Sequence, residues 1–166
     1  LHPVAHSFPT RRSSDLEATE SAFIVALQSR RLVHLAGHGE GTGQSGLDYA
    51  LMLAPDSAAG SGRLTAREIY ALDTDADLIF LSACGRRKAG YREGDEIDAA
   101  SALAVSGARS VIYSLWKVDD LAAGVLAKRF YRAFSWGEPA GQALHNAKLY
   151  LLENFNPHPA YWAAFR

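Results

Sequence analysis

Short runs of consecutive apolar residues, set between stretches of helical periodicity, constrain this chain more than anything else in it. Leu32-Val33-His34-Leu35-Ala36 stops at a glycine, and Asp77-Leu78-Ile79-Phe80-Leu81 runs into Ser82-Ala83-Cys84. Tyr49 to Ala54 and Arg109 to Leu115 are two further runs of this kind. Such unbroken runs predict strands covered on both faces. Between them, Glu17 to Arg30 places Ala18, Ala22, Val25 and Ala26 at helical spacing. Thr65-Ala66-Arg67-Glu68 is a capping box that opens a helix to about Leu72. A helix is predicted from about Asp95 to Ser106, with Gly107 as its stop. Either Asp119 or Asp120 caps the next, to about Phe134. Gly137-Glu138-Pro139 starts a last helix that runs to about Asn154, and Pro157 to Phe165 reads as a packed loop or strand stub. Strands alternating with helices predict an α/β fold, a mostly parallel sheet in a three-layer α/β/α sandwich.

A length of 166 residues is room for one domain. The formal net charge of −1 gives no bulk attraction for nucleic acid or an acidic membrane, so neither is an expected partner. The one dense basic run, Arg86-Arg87-Lys88, reads as a solvated loop. Cys84 is the only cysteine, which excludes an internal disulfide and fits a reducing, cytoplasmic setting. No run approaches the roughly 18 apolar residues of a membrane span. Residues 1–16 stand apart: His6 to Leu16 (HSFPTRRSSDL) resembles a translated sequencing adapter and is set aside as an artefact. On that expectation the native segment begins near Glu17, within a larger protein.

In open α/β sheets, sites form in the loops beyond the carboxyl ends of strands. His38 follows the run at 32–36 and Cys84 follows the run at 78–83. If the two strands are neighbours, these loops meet at one rim. An imidazole beside a thiol takes its proton and later supplies one to a leaving amine. The oxyanion then needs backbone donors, and the N–H groups of Gly39 and Cys84 are the candidates. Gly39 also lets backbone approach a substrate with no Cβ between them. The loop Gly37 to Gly43 around them is dense in glycine.

Other chemistries have less support. Gly41-Thr42-Gly43-Gln44-Ser45-Gly46 matches a dinucleotide-binding pattern, which needs a helix directly after it, whereas the following residues read as a strand. Cys84, His34 and His38 do not have the spacing of a zinc site, and His34 reads as a core histidine at the strand phase opposite Val33. No GxSxG nucleophile elbow is present. No metal is expected.

Gly37-His38-Gly39-Glu40 resembles the caspase Ser-His-Gly-Glu loop, and Ser82-Ala83-Cys84-Gly85 resembles the caspase Gln-Ala-Cys loop. Cys84 follows His38 by 46 residues, close to the caspase spacing of roughly 50. The pattern is closer still to the CHAT family, caspase-like domains usually attached to tetratricopeptide repeats, and can be followed from Glu17 to Phe165. The matching stretches are Val33 to Gly39, Leu78 to Cys84, Ala102 to Gly107, Ser114 to Asp120, and Pro159 to Phe165. The resemblance implies a caspase–hemoglobinase α/β/α fold, truncated at its N-terminal side, and a Cys84/His38 dyad with no obligatory acid and no cofactor. It implies a bacterial cysteine endopeptidase acting on a protein or peptide and regulated by tetratricopeptide-repeat domains of the same parent chain. The alternative is a catalytically inactive scaffold or signalling module. Separase, a relative, has a similar Leu-Trp segment near its specificity pocket. By that likeness Asp120 and Trp116 line the pocket here, and Asp120 would favour a basic residue before the cut. The chain departs from the family in having Gly85-Arg86 where many members have Glu-Thr.

Overall fold

The computed structural model describes residues 18–41, 45–56, 61–83, 85–86 and 99–166. The artefact assigned to 1–16, Cys84 itself, and the loop and helix start assigned to 87–98 lie outside these residues. In chain order the elements are α1 (Glu20–Ser29), β1 (Leu32–Ala36), β2 (His38–Gly41), β3 (Tyr49–Met52), β4 (Arg63–Thr65), α2 (Ala66–Tyr70) and β5 (Leu78–Ser82). They continue with β6 (Gly85–Arg86), α3 (Ala99–Val105), β7 (Val111–Tyr113), α4 (Asp120–Ser135), α5 (Ala140–Asn154) and α6 (Pro159–Trp162).

β5 explains the layering. Its residues Leu78 to Leu81 are all buried, and side chains alternate across a strand. Ile79 and Leu81 join one core with Phe23 and Leu27 of α1, Ile69 of α2 and Leu103 of α3. Leu78 and Phe80 join the other with Leu126 and Phe130 of α4 and Leu144 and Leu151 of α5. The apolar run is therefore unbroken because helices cover both faces. A parallel sheet in the order β1-β5-β7 lies between these helices, as the alternation predicted.

Phe80 is the hub of the second core. Its ring centroid lies 5.3 Å from that of Phe130 and 5.6 Å from that of Phe165. The tail that carries Phe165 covers the outer edge of β7. The Tyr113 N–H donates to the Arg166 carbonyl at 3.0 Å, and the Arg166 N–H donates back to Tyr113 at 3.1 Å. A covered edge cannot recruit another chain. The tail is thus a short helix followed by a strand stub.

A second sheet, order β4-β3-β2-β6, was not predicted. Its strands are antiparallel except for the β2–β6 pair. The glycine-dense segment read as a loop is in part β2, and Gly85-Arg86, also read as loop, is β6. Glycine has poor strand propensity, which hid β2, but it also lets strands approach closely. Arg63–Thr65 forms β4 and runs straight into the capping box, so Thr65 both ends the strand and caps α2.

The predicted punctuation is otherwise present. The Thr65 and Glu68 side chains close the capping box. Gly107 has φ +118°, in the left-handed region, and a Cβ there would meet the Thr74 carbonyl oxygen at 2.6 Å. The Ala108 N–H donates to Leu103 at 3.1 Å, which completes a Schellman stop. Pro139, expected near the first turn of the last helix, is the cap residue of α5.

Candidate active site

The register of the strands builds the site. β1 and β5 are parallel neighbours, paired from Leu32 with Leu78 to Ala36 with Ser82. The Gly37 N–H donates to the Ser82 carbonyl at 3.1 Å, so the pairing extends past the end of β1. Beyond it, Gly39 pairs with Gly85 and Glu40 with Arg86, again in parallel. The offset between partners is 46 residues on both sides of this crossing. His38 lies within the crossing: it is exposed, opens β2 and stands opposite Met52 of β3. On the partner side of the crossing, β5 ends at Ser82 and β6 opens at Gly85.

Gly39 has a structural reason to be glycine that the sequence did not disclose. It is buried, and a Cβ there would lie 1.8 Å from Oη and 2.5 Å from Cζ of Tyr49. Tyr49 opens β3, and its hydroxyl donates to the Ala83 carbonyl at 3.1 Å. One side chain therefore packs on the residue after His38 and bonds to the residue before Cys84. Tyr49 was not singled out in the sequence; an aromatic at a strand start beside a glycine-rich segment was the sole signal. Glu40 of the same segment reaches Arg63 of β4 at 3.5 Å, a partly exposed pair of little energetic weight.

Trp116 and Asp120 follow β7, at the same carboxyl end of the sheet. The Trp116 indole N–H donates to the Ala160 carbonyl at 3.2 Å, and the residue is 39% exposed. Of the two cap candidates, Asp119 is the cap and accepts from the Ala122 N–H at 3.0 Å. Asp120 is the first residue of α4 and is exposed. The cap role offered for Asp120 is thereby corrected, because its position already has helical geometry.

His34 does stand at the phase opposite Val33, but it is exposed rather than a core residue. Its ring nevertheless lies 4.8 Å from that of Phe80 and 5.5 Å from that of Tyr131, and this partial burial pushes its pKa below the usual value. Burial raises the pKa of the Tyr131 hydroxyl. After Gly46 comes a single 3-10 turn, Gly46–Asp48, and then β3, so the helix that dinucleotide binding needs is not there. Among the described residues, no group of three His, Cys, Asp or Glu is placed to hold a metal ion. Among them too, no helix is long and apolar enough to cross a membrane.

The model of one family, the CHAT domain, matches residues 3–166. This chain belongs to the CHAT domain family. It is thus a member of a caspase-like, peptidase-related family, and the α/β/α layering agrees with that membership. No curated protein matches the chain. Two of the stretches that carry the resemblance, Val33 to Gly39 and Leu78 to Cys84, contain the paired strands β1 and β5.

Proposed function

We propose that this CHAT domain is a cysteine endopeptidase domain in which Cys84 is the nucleophile and His38 its general base and acid. The observation that carries this reading is the shared offset. The strands on either side of the site pair at 46 residues, and 46 residues separate His38 from Cys84. Parallel partners at one register are neighbours about 4.8 Å apart. A dyad of this kind needs that proximity.

In this mechanism the His38 imidazole takes the thiol proton and the Cys84 sulfur attacks the scissile carbonyl. The backbone N–H groups of Gly39 and Cys84 receive the oxyanion. The proton on His38 then passes to the leaving amine, and water hydrolyses the thioester with His38 as base. No cofactor takes part. Asp120 and Trp116 belong to the substrate pocket in this reading. What supports this for Asp120 is that Asp119 does the capping, which leaves the Asp120 carboxylate for a basic side chain before the cut. Tetratricopeptide-repeat domains of the parent chain are the proposed regulators.

The test is hydrolysis of a fluorogenic peptide library with a basic residue before the scissile bond. The reading expects Cys84→Ala and His38→Ala each to abolish cleavage, and Asp120→Asn to weaken the preference for basic residues. Cleavage that survives either of the first two substitutions refutes the dyad.

A further inference from the structure

We propose that Tyr49 is a positioning residue for the oxyanion donor of this site. The proposal rests on the reading of Cys84 as nucleophile and names a residue that the dyad does not include. The Tyr49 hydroxyl donates to the Ala83 carbonyl at 3.1 Å, a bond that leaves the sheet of Tyr49 for the chain just beyond β5. The pairing of the strands does not require it. The Ala83 carbonyl and the Cys84 nitrogen belong to one rigid peptide unit, in which C=O and N–H point in opposite directions. A donor that holds the oxygen therefore sets the direction of the N–H. It also draws electron density toward the oxygen, which makes the N–H a stronger donor to an anion.

The second contact of Tyr49 gives it a fixed base. Its ring end occupies the space beside Gly39 where a Cβ would stand, 1.8 Å from Oη. The aromatic side chain is rigid beyond two torsions and packs on the residue that carries the other proposed oxyanion donor. Tyr49 thus spans both halves of the proposed oxyanion site through one ring.

Two reactions of the single thiol separate this role from general support of the fold. Iodoacetamide alkylates the Cys84 sulfur by displacing iodide, with no oxyanion on the path. With p-nitrophenyl acetate the sulfur attacks the ester carbonyl, an oxyanion forms, and p-nitrophenolate leaves as the acetyl group moves to sulfur. Both are followed by mass on the full chain, beside a short cysteine peptide as a free-thiol control. Tyr49→Phe keeps the ring on Gly39 and removes the donor; para-aminophenylalanine at position 49 keeps a donor at the ring's end. The expected result is a fall in acylation of about 10- to 100-fold in Tyr49→Phe, unchanged alkylation, and recovery of acylation in the amino variant. Equal acylation in Tyr49→Phe and the parent, a parallel fall in both reactions, or no recovery in the amino variant would overturn the proposal. Failure of the underlying dyad looks different: the parent chain itself would then acylate no faster than the free-thiol control, and the proposal would fall with it.

Discussion

Replacing Gly39 by alanine separates two accounts of why this position is glycine. In one, the absent Cβ leaves room for a substrate; in the other, it leaves room for Tyr49. The added Cβ would stand 1.8 Å from Oη, 2.5 Å from Cζ and 3.1 Å from Cε1 of Tyr49. All three are too close, so the ring must swing away. That movement sacrifices the bond to the Ala83 carbonyl, worth about 0.5–1.5 kcal/mol. Overpacking of a fitted site adds about 1–3 kcal/mol. Against these stands the intrinsic gain of alanine over glycine within a strand, about 0.5–1 kcal/mol. The balance is a loss of about 0.5–4 kcal/mol. A double-mutant cycle in urea melts isolates the cause. In a Tyr49→Ala background the obstruction is gone, so Gly39→Ala should be neutral or slightly stabilising. The predicted coupling between the two positions is at least about 1 kcal/mol. Additive effects would show that Tyr49 does not dictate Gly39, and the packing account would be wrong.

Other consequences follow from the same contacts. Phe80→Ala removes a fully buried ring that packs on Phe130 and Phe165, and should cost about 3–5 kcal/mol in denaturant titration. Asp119→Ala should cost about 1 kcal/mol by loss of the α4 cap, whereas Asp120→Ala should leave the melting temperature nearly unchanged. Because burial lowers the pKa of His34, the unfolded chain binds its proton first as the solution is acidified. Stability from this group is complete above its ordinary value of 6.5 and is lost as pH falls through the lower folded value. Melting temperatures followed from neutral to mildly acid pH should therefore fall less in His34→Phe than in the parent.

The sequence disclosed the parallel sheet well and the second sheet poorly, for physical reasons. Leu78 to Leu81 lies between two helical layers, so burial on both faces wrote itself into the chain as an apolar run. The helix stops and caps at Gly107, Thr65 and Asp119 are local chemistry, and local chemistry is legible. β2 is held by partners distant in the chain, Leu51 on one side and Gly85 on the other. Nothing within His38-Gly39-Glu40-Gly41 itself favours a strand. The same holds for Tyr49, whose role comes from Gly39 and Ala83, brought to it only by folding. His34 was placed correctly by strand phase, but its exposure depends on how far α4 covers the sheet beside Tyr131, which periodicity does not report.

The proposed pairing of His38 with Cys84 is the centre of this account, and the single cysteine makes it directly measurable. The rate of Cys84 alkylation by iodoacetamide, followed against pH, reports how much thiolate is present. A free thiol loses reactivity below about pH 8.5. With a cationic imidazole beside it the thiolate persists to lower pH, so the parent profile should have its midpoint well below that value. His38→Ala should return the midpoint toward the free-thiol value. A midpoint near about 8.5 in the parent, or an identical profile in the two proteins, would contradict the dyad.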